Sequence, residues 1–169
     1  MLNLLDTMFI KRFCLPVNSN IDLYETGINN ISSCVCGHYN HIACILQGTD
    51  LSIKKLKILS FGVNQMGDEE GKNPGIHAEK DALNKLNNVK HKKNLTSINL
   101  LVIRVSKKNT LQSSKPCNNC IETMKIFPNK KGYKIQYIYY SDGLGNIIKT
   151  NIATLENEEK HYSKFYRRK

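Results

Sequence analysis

The feature that most constrains the fold is an apolar segment, Ile98 to Val105, that lies between two short motifs of metal-binding residue types. The segment contains a run of consecutive apolar residues, Leu100 to Ile103. Such a run is typical of a central strand that is covered on both faces of its sheet. The motif before it is His77-Ala78-Glu79, and the motif after it is Pro116-Cys117-Asn118-Asn119-Cys120. Each motif coincides with a predicted helix start, so two helix N-termini are expected to meet at one edge of the sheet.

Periodicity and turn residues predict the other elements of the chain. Helices are expected where apolar residues recur every three or four positions, and short strands where apolar residues run together between loops. Proline marks both ends of one helix, since Pro116 lies at its start and Pro128 is expected to stop it. The other predicted elements are a helix at 21–33, strands at 41–47 and 56–63 that form a hairpin through 48–50, a polar loop at 65–73, a helix opened by Pro74 and Gly75, strands at 135–140 and 147–152, and a helix at 155–166.

The connection between the last two predicted strands determines how they pair. It spans residues 141–146, contains Gly143 and Gly145, and is too short for a crossover helix. These strands are therefore expected to be antiparallel. The order of elements predicts an α/β fold, a three-layer α/β/α sandwich with a mixed five-stranded sheet and helices on both faces. The chain divides into an N-terminal extension (1–20), one domain (21–152) and a C-terminal helix with a basic tail (153–169).

Composition limits the classes of partner. No apolar run reaches the roughly 18 residues of a membrane span, so none is expected. The apolar N-terminus is followed, not preceded, by Lys11 and Arg12, which disfavours a secretory signal and favours a cytoplasmic, reducing location. The formal net charge is +11, which permits a nucleic-acid partner. The alternative is a solvated basic surface without a function, because the basic residues are scattered along the chain.

Six cysteines in a reducing compartment need a function other than disulfide bonding. Cys117 and Cys120 have the spacing of a metal-binding pair. Together with His77 they supply three ligands of the types that zinc prefers, and a catalytic zinc site keeps its fourth position for water. A helix N-terminus lowers the pKa of a thiol, which favours the thiolate that the metal needs. Cys14 and Cys44 lie in apolar sequence and are expected to be core residues.

Glu79 distinguishes a catalytic zinc site from a structural one. It lies two residues after His77, near the helix start, where its carboxylate can take a proton from a zinc-activated water and pass it on. A structural site is the alternative, and it needs a fourth ligand such as His91. Because Glu79 has no role in such a closed site, we expect a catalytic one.

Three further groups of residues have a functional and a simpler interpretation. A Cys-x-Cys-x-His-x-x-His group would form a second, structural zinc site, but we favour side chains that alternate between two faces of a strand. Two aromatic groups would stack nucleic-acid bases, but we favour a sheet covering and a solvated terminus. The residues are Cys34, Cys36, His38 and His41 in the first group, Tyr137, Tyr139 and Tyr140 in the second, and Phe165, Tyr166 and 167–169 in the third.

Taken together, the two motifs are similar to the H-x-E…P-C-x-x-C signature of zinc deaminases, and the chain resembles the cytidine deaminase-like superfamily over roughly residues 38–152. The resemblance implies that Glu79 is a proton shuttle, that the substrate is a small nucleoside or nucleotide, and that the protein is a homo-oligomer. It implies zinc ligands at His77, Cys117 and Cys120, and substrate contacts at Asn64, Ala78 and Pro116.

The resemblance leaves the substrate open. His77 replaces the cysteine ligand that is common in deaminases of free cytidine, whereas the short link at 142–146 resembles the branch that includes those enzymes. The expected reaction is attack of water on C4 of cytosine, which gives uracil in a (deoxy)cytidine nucleoside or nucleotide. The alternatives are deamination of cytosine or adenine in RNA or single-stranded DNA, and a catalytically silent zinc module that binds nucleic acid or a partner.

Overall fold

The structure, a computed structural model, describes residues 39–47, 57–65, 67, 75–89, 94–106, 108 and 110–163. Within these ranges the chain forms six strands and three helices, which confirms the α/β class. None of these helices has the length and apolar character that a membrane crossing requires. The elements are β1 (Tyr39–Gln47), β2 (Lys57–Val63), α1 (Ala78–Lys85), β3 (Thr96–Ser106), β4 (Leu111–Gln112), α2 (Asn118–Lys130), β5 (Tyr133–Ser141), β6 (Ile147–Thr150) and α3 (Ile152–Asn157).

The strands form one open, mixed sheet in the order β2-β1-β3-β5-β6, and the short β4 pairs with β3 outside this path. β1 is antiparallel to both β2 and β3, β3 is parallel to β5, and β5 is antiparallel to β6. The pairing of the first two strands and the antiparallel last pair are thereby confirmed. Because β2, β3 and β5 share one direction, their carboxyl ends lie at the same edge of the sheet.

Side chains alternate between the two faces of the sheet and form two apolar clusters. The cluster on the first face includes Ala43 and Ile45 of β1, Val102 of β3 and Ile138 of β5. All three described helices pack on this face. Their buried contributions to it include Ala82 and Leu83 from α1, Ile121 and Met124 from α2, and Leu155 from α3.

The second face of the sheet has its own cluster, which includes Cys44, Leu101 and Tyr139. Cys44 is thus confirmed as a core residue. Among the described residues, no helix packs on this face. The helix predicted at 21–33 lies outside the described residues, as do Cys14 and the extension at 1–20. The structure therefore shows a mixed sheet with helices on one face, and the three-layer arrangement stays a prediction.

The first helix begins later than its sequence predicts. α1 starts at Ala78 and not at Pro74 or Gly75. The reason is that Ile76 first pairs with Gln65 in an isolated antiparallel bridge, with the Gln65 N–H donating to the Ile76 carbonyl at 2.8 Å. This bridge closes the loop that follows β2 and brings the chain back to the sheet edge just before the first motif.

The second helix begins and ends later than predicted. α2 starts at Asn118, two residues after Pro116, and continues through Pro128 to Lys130. Pro128 was expected to stop the helix, and that prediction is wrong. A proline loses its own backbone hydrogen bond and crowds the carbonyl four residues earlier, and at Pro128 both effects are confined to the last turns of α2. The ring of Pro128 is also fully buried, which favours its place in the helix.

The end of the chain also differs from its prediction. β6 ends at Thr150 because the Asn151 side chain accepts a hydrogen bond from the Thr154 backbone N–H (2.9 Å) and caps α3. The strand predicted at 147–152 is thus too long. The helix predicted at 155–166 is wrong over 158–163, because α3 ends at Asn157, and Tyr162 is 39% exposed and not inward; 164–166 lie outside the described residues.

Candidate metal centre

Both sequence motifs lie at helix N-termini, as predicted. His77 is the N-cap of α1, and Cys117 is the N-cap of α2. Both residues have an extended backbone, and neither side chain makes a capping hydrogen bond. An N-cap is usually a serine, threonine, aspartate or asparagine whose side chain bonds to the first turn. Here the two side chains approach each other instead, with Nδ1 of His77 3.5 Å from Sγ of Cys117.

The side chains of His77, Cys117 and Cys120 form one cluster, which we call the metal cluster. Their possible ligand atoms all lie within 4.8 Å of one another, and Nδ1 of His77 is 3.2 Å from Sγ of Cys120. Two neighbouring ligands of a tetrahedral zinc ion are roughly 3.5–3.8 Å apart at the usual bond lengths. The cluster can therefore hold a metal ion, and its donor types and size are compatible with zinc.

Within the described part of the chain, the metal cluster has three members and no fourth ligand. Both cysteines are free and buried. His91, the sequence candidate for a fourth ligand, lies outside the described residues. Three protein ligands are the number that leaves one tetrahedral position for water or substrate.

The two thiols of the metal cluster have opposite pKa shifts because they share a hydrogen bond. The hydrogen bond from the Cys120 thiol lowers the pKa of Cys117 to about 4, against the effect of burial. The same hydrogen bond, together with burial, raises the pKa of Cys120. The pKa of His77 is raised, first by its hydrogen bond with Cys117. Since a metal binds deprotonated thiolates, loading of this cluster is expected to release protons.

Glu79 is a buried acid in the first turn of α1. The residue is 2% exposed, and its Oε2 atom has no hydrogen-bond partner. Burial raises the pKa of this carboxyl, whereas a backbone hydrogen bond and the nearby His77 lower it. Glu79 lies outside the three residues whose ligand atoms are within 4.8 Å of one another, but a hydrogen bond with Cys120 contributes to its pKa and places it next to the metal cluster. A buried carboxylate oxygen without a hydrogen bond costs free energy of folding. The unpaired oxygen therefore indicates that Glu79 bonds to a ligand in the functioning protein.

Three other buried polar atoms in the described part of the chain also lack hydrogen-bond partners. They are Nε2 of His41, Nδ2 of Asn119 and Oγ of Ser163. Asn119 lies between the two cysteines in the first turn of α2, and His41 is close enough to His77 and Cys117 for their charges to affect its pKa. Unpaired buried polar atoms are rare in folded proteins. The unpaired atoms of Asn119 and His41 therefore indicate a binding site for a polar ligand next to the metal cluster.

The position of α1 depends on Gly62 of β2. A Cβ atom at this residue would lie 2.2 Å from the carbonyl oxygen of Ala78 and 2.3 Å from the backbone nitrogen of Ala82. Real Cβ atoms essentially never come so close to backbone atoms, so only glycine permits this approach. The start of α1, and with it His77, is thus held directly against the sheet.

A buried carboxylate also connects α1 to the end of β2. Asp81 is 4% exposed and accepts a hydrogen bond from the backbone N–H of Val63 at 3.0 Å. It also accepts hydrogen bonds from the side chains of Gln65 (3.0 Å) and Lys85 (2.7 Å). The segment that follows β2 is thereby positioned relative to the first motif.

The position of α2 depends on two buried serines. The Ser114 hydroxyl donates to the carbonyl oxygen of Val102 and accepts the backbone N–H of Ser141, both at 2.8 Å. The Ser141 hydroxyl donates to the carbonyl oxygen of Gln112 at 2.6 Å. These bonds attach the segment before Cys117 to β3 and β5, so the second half of the metal cluster is held at the same sheet edge as the first.

The predicted substrate contacts lie next to these elements and stay predictions. Asn64 directly follows β2 and is exposed, and its backbone N–H donates to the carbonyl oxygen of His41 at 3.1 Å. Ala78 and Pro116 are buried beside the two N-cap residues.

The structure also describes part of the cysteine–histidine group and of the tyrosine group, for which the sequence left a functional and a simpler interpretation. The ammonium of Lys149 lies 3.9 Å from the ring centre of Tyr137, and Tyr139 is buried in the second-face cluster. Both tyrosines thus cover the sheet, as favoured from the sequence. Of the second metal-binding group, only His41 is described, so that site stays a prediction. Phe165, Tyr166 and 167–169 lie outside the described residues.

The sequence did not reveal several supporting residues. Gly62, Asp81, Ser114 and Ser141 act through partners that are distant in the chain, and local patterns do not show such partners. The sequence did contain a signal for His41. This residue occupies every second position with Ala43 and Ile45, so it is expected on the same face of β1 as these apolar residues.

Comparison with known proteins assigns no family: no protein-family model matches the chain, and no curated protein sequence matches it. The functional argument therefore depends on the residues of this chain. They bring together a possible metal ion, an adjacent buried carboxylate and unpaired polar atoms. This combination is suited to hydrolysis at a polar ligand.

Proposed function

We propose that the protein is a zinc-dependent hydrolytic deaminase that converts a cytosine base to uracil in a (deoxy)cytidine nucleoside or nucleotide. The observation that carries the proposal is the buried Glu79 carboxylate, which has an unpaired oxygen and lies two residues after His77 of the three-residue metal cluster. A closed structural zinc site has no use for such a carboxylate. A hydrolytic site can use it, because protons must move from water to the leaving group.

The reaction assigns each of these residues a task. A zinc ion held by His77, Cys117 and Cys120 would supply an activated water molecule at the open position. Glu79 takes one proton from this water and delivers it to N3 of the base as the water oxygen bonds to C4. Glu79 then carries the second proton from the new C4 hydroxyl to the amino group. The C4–N bond breaks, and water plus cytosine become uracil plus ammonia.

The proposal includes the fold of this enzyme class, a cytidine deaminase-like three-layer sandwich. The sheet order supports it, because α1 follows β2, α2 follows β3 and the short β4, and β2 and β3 end at the same edge. Open α/β sheets place their ligand sites beyond the carboxyl ends of strands. The third layer would come from the helix predicted at 21–33.

The deciding experiment measures ammonia release from cytidine, CMP, dCMP and a single-stranded RNA by the zinc-loaded protein. Glu79→Gln keeps the size of the side chain but cannot carry protons, so the rate is expected to fall at least about 100-fold. Zinc content should stay at about one ion per chain, because Glu79 is not a ligand.

Glu122→Gln is the matched control, since Glu122 is an exposed residue of α2 whose carboxylate is 3.8 Å from Lys125. Its activity should equal that of the unaltered protein. If the zinc-loaded protein releases no ammonia from any of the four substrates, the proposal is wrong and a silent zinc module is left.

One observation favours a second candidate substrate, a base in RNA or single-stranded DNA. After α3 the chain returns to the start of α2, where the Asn118 N–H donates to the His161 carbonyl (2.8 Å) and the His161 N–H donates to Oδ1 of Asn118 (3.2 Å). The basic residues of 164–169 follow this anchor closely in the sequence. Ammonia release from RNA but not from CMP, with RNA binding that weakens steeply in salt, would select this candidate.

A further inference from the structure

His41 is a half-buried histidine that the proposed reaction does not use. It lies on β1, and the next residues on its side of the strand, Ala43 and Ile45, belong to the apolar cluster beneath the helices. Because side chains alternate along a strand, His41 lies on the same face of the sheet as α1 and α2. This is also the face on which the metal cluster lies.

The imidazole of His41 has an unmet hydrogen bond. Its Nε2 atom is buried and has no partner within the described part of the chain. A fourth metal ligand would explain such an atom, but His41 lies outside the group whose ligand atoms are within 4.8 Å of one another. The unmet bond therefore needs a partner other than the metal.

The charges around His41 define the kind of partner. Burial, the charge of Arg104 and that of His77 lower the pKa of His41 to about 4, against an opposing effect of Cys117. Arg104 is the residue of β3 that pairs with His41. The imidazole is thus neutral at neutral pH, with one donor and one acceptor nitrogen. Such a group can donate one hydrogen bond to, and accept one from, a hydroxyl, an amide or a ring nitrogen.

We propose that His41 is a substrate-contacting residue, whose Nε2 atom hydrogen-bonds to the sugar hydroxyls or the base edge of a nucleoside bound at the metal cluster. This inference rests on the proposed deaminase function. The backbone supports it, because the His41 carbonyl accepts the N–H of Asn64 at 3.1 Å. His41 therefore lies at the sheet edge where β2 ends and where the first motif begins.

The test compares kcat and KM for the fastest substrate of the panel in His41→Ala, His41→Gln and His41→Asn. His41→Ala is expected to lower kcat/KM about tenfold through the loss of one hydrogen bond. Glutamine places its amide near the position of Nε2 and should recover most of this loss. Asparagine reaches only the position of Nδ1 and should not.

Two further measurements separate contact with substrate from support of the fold. Zinc content and thermal unfolding are determined for every variant, and Cys44→Ala is the matched control because Cys44 lies on the same strand but on the opposite face. Its kcat/KM should stay unchanged. The same variant is then measured with free cytosine as substrate. If His41→Ala no longer lowers kcat/KM, the contact is with the sugar; if it still lowers kcat/KM, the contact is with the base.

Three results would overturn the inference: an unchanged kcat/KM in His41→Ala, loss of zinc from that variant, or equal defects in the glutamine and asparagine variants. Failure of the proposed function looks different, since the unaltered zinc-loaded protein then releases no ammonia. In that case, calorimetric binding of uridine replaces the rate measurement. Weaker uridine binding by His41→Ala supports the contact, whereas equal binding, or none by either protein, overturns it.

Discussion

The two helix N-termini that form the metal cluster are attached to the sheet in different ways. α1 touches β2 directly, because Gly62 leaves no space between the strand and the helix backbone, and Asp81 adds a buried charge. α2 is attached through neutral hydrogen bonds of Ser114, which lies before the helix, and Ser141, which lies at the end of β5. One half of the site depends on steric contact and the other on a small polar network.

This difference predicts how each half of the metal cluster responds to substitution of the residues that hold it. A contact between two backbones cannot adjust unless the whole helix moves. A methyl group added at Gly62 would therefore displace α1 and, with it, His77. A hydroxyl network can lose one bond while the segment around it keeps its place. We therefore expect variants on the α1 side to disturb the metal cluster more than variants on the α2 side.

Gly62→Ala should have the largest effect. The new Cβ atom would overlap backbone atoms of Ala78 and Ala82, so the free energy of unfolding should fall by at least about 3 kcal/mol. Displacement of His77 should also lower the zinc bound per chain. Chemical denaturation and metal analysis measure the two quantities.

Gly145→Ala is the control for Gly62→Ala. Gly145 has a φ of 96° but nothing within 4 Å of its Cβ position, so only backbone strain of about 1 kcal/mol is expected, with zinc content unchanged. Equal losses in the two variants would show that the approach of α1 to β2 does not depend on Gly62.

Asp81→Ala should have the next largest effect. It leaves the N–H of Val63 and the amide of Gln65 without their acceptor, which costs about 2–3 kcal/mol in the free energy of unfolding. Zinc binding should weaken less than in Gly62→Ala, because the helix keeps its contact with β2. Glu156→Ala is the control, since it removes the same charge from an exposed pair with Lys125 and should cost at most about 1 kcal/mol. A cost no greater than that of the control would show that Asp81 does not hold α1.

Ser114→Ala should have the smallest effect of the three. The Val102 carbonyl and the Ser141 N–H lose one partner, which costs about 1–2 kcal/mol, and zinc content should stay unchanged. Ser113→Ala, at the exposed neighbouring residue, should alter the free energy of unfolding by less than about 0.5 kcal/mol. If Ser114→Ala releases zinc more readily than Asp81→Ala, the contrast between the two halves of the site is reversed.

Much of the fold was predictable because its signals are local. The apolar run at 98–105 predicted a central strand, and the short link at 141–146 predicted the antiparallel last pair. The errors arose where a distant partner overrides a local pattern. Ile76 pairs with Gln65 and delays α1. Asn151 caps α3 and shortens β6, a cap that the apolar pattern at 147–152 concealed.

The residues able to bind a metal, and their places at two helix starts, follow from the sequence alone, since donor chemistry and helix signals are properties of short segments. The tertiary structure adds that three ligand atoms meet within 4.8 Å. It also adds that an oxygen of Glu79 and a nitrogen of His41 are buried without partners. These facts depend on strand direction and register, which are set by pairing between segments far apart in the chain, and no local pattern contains them.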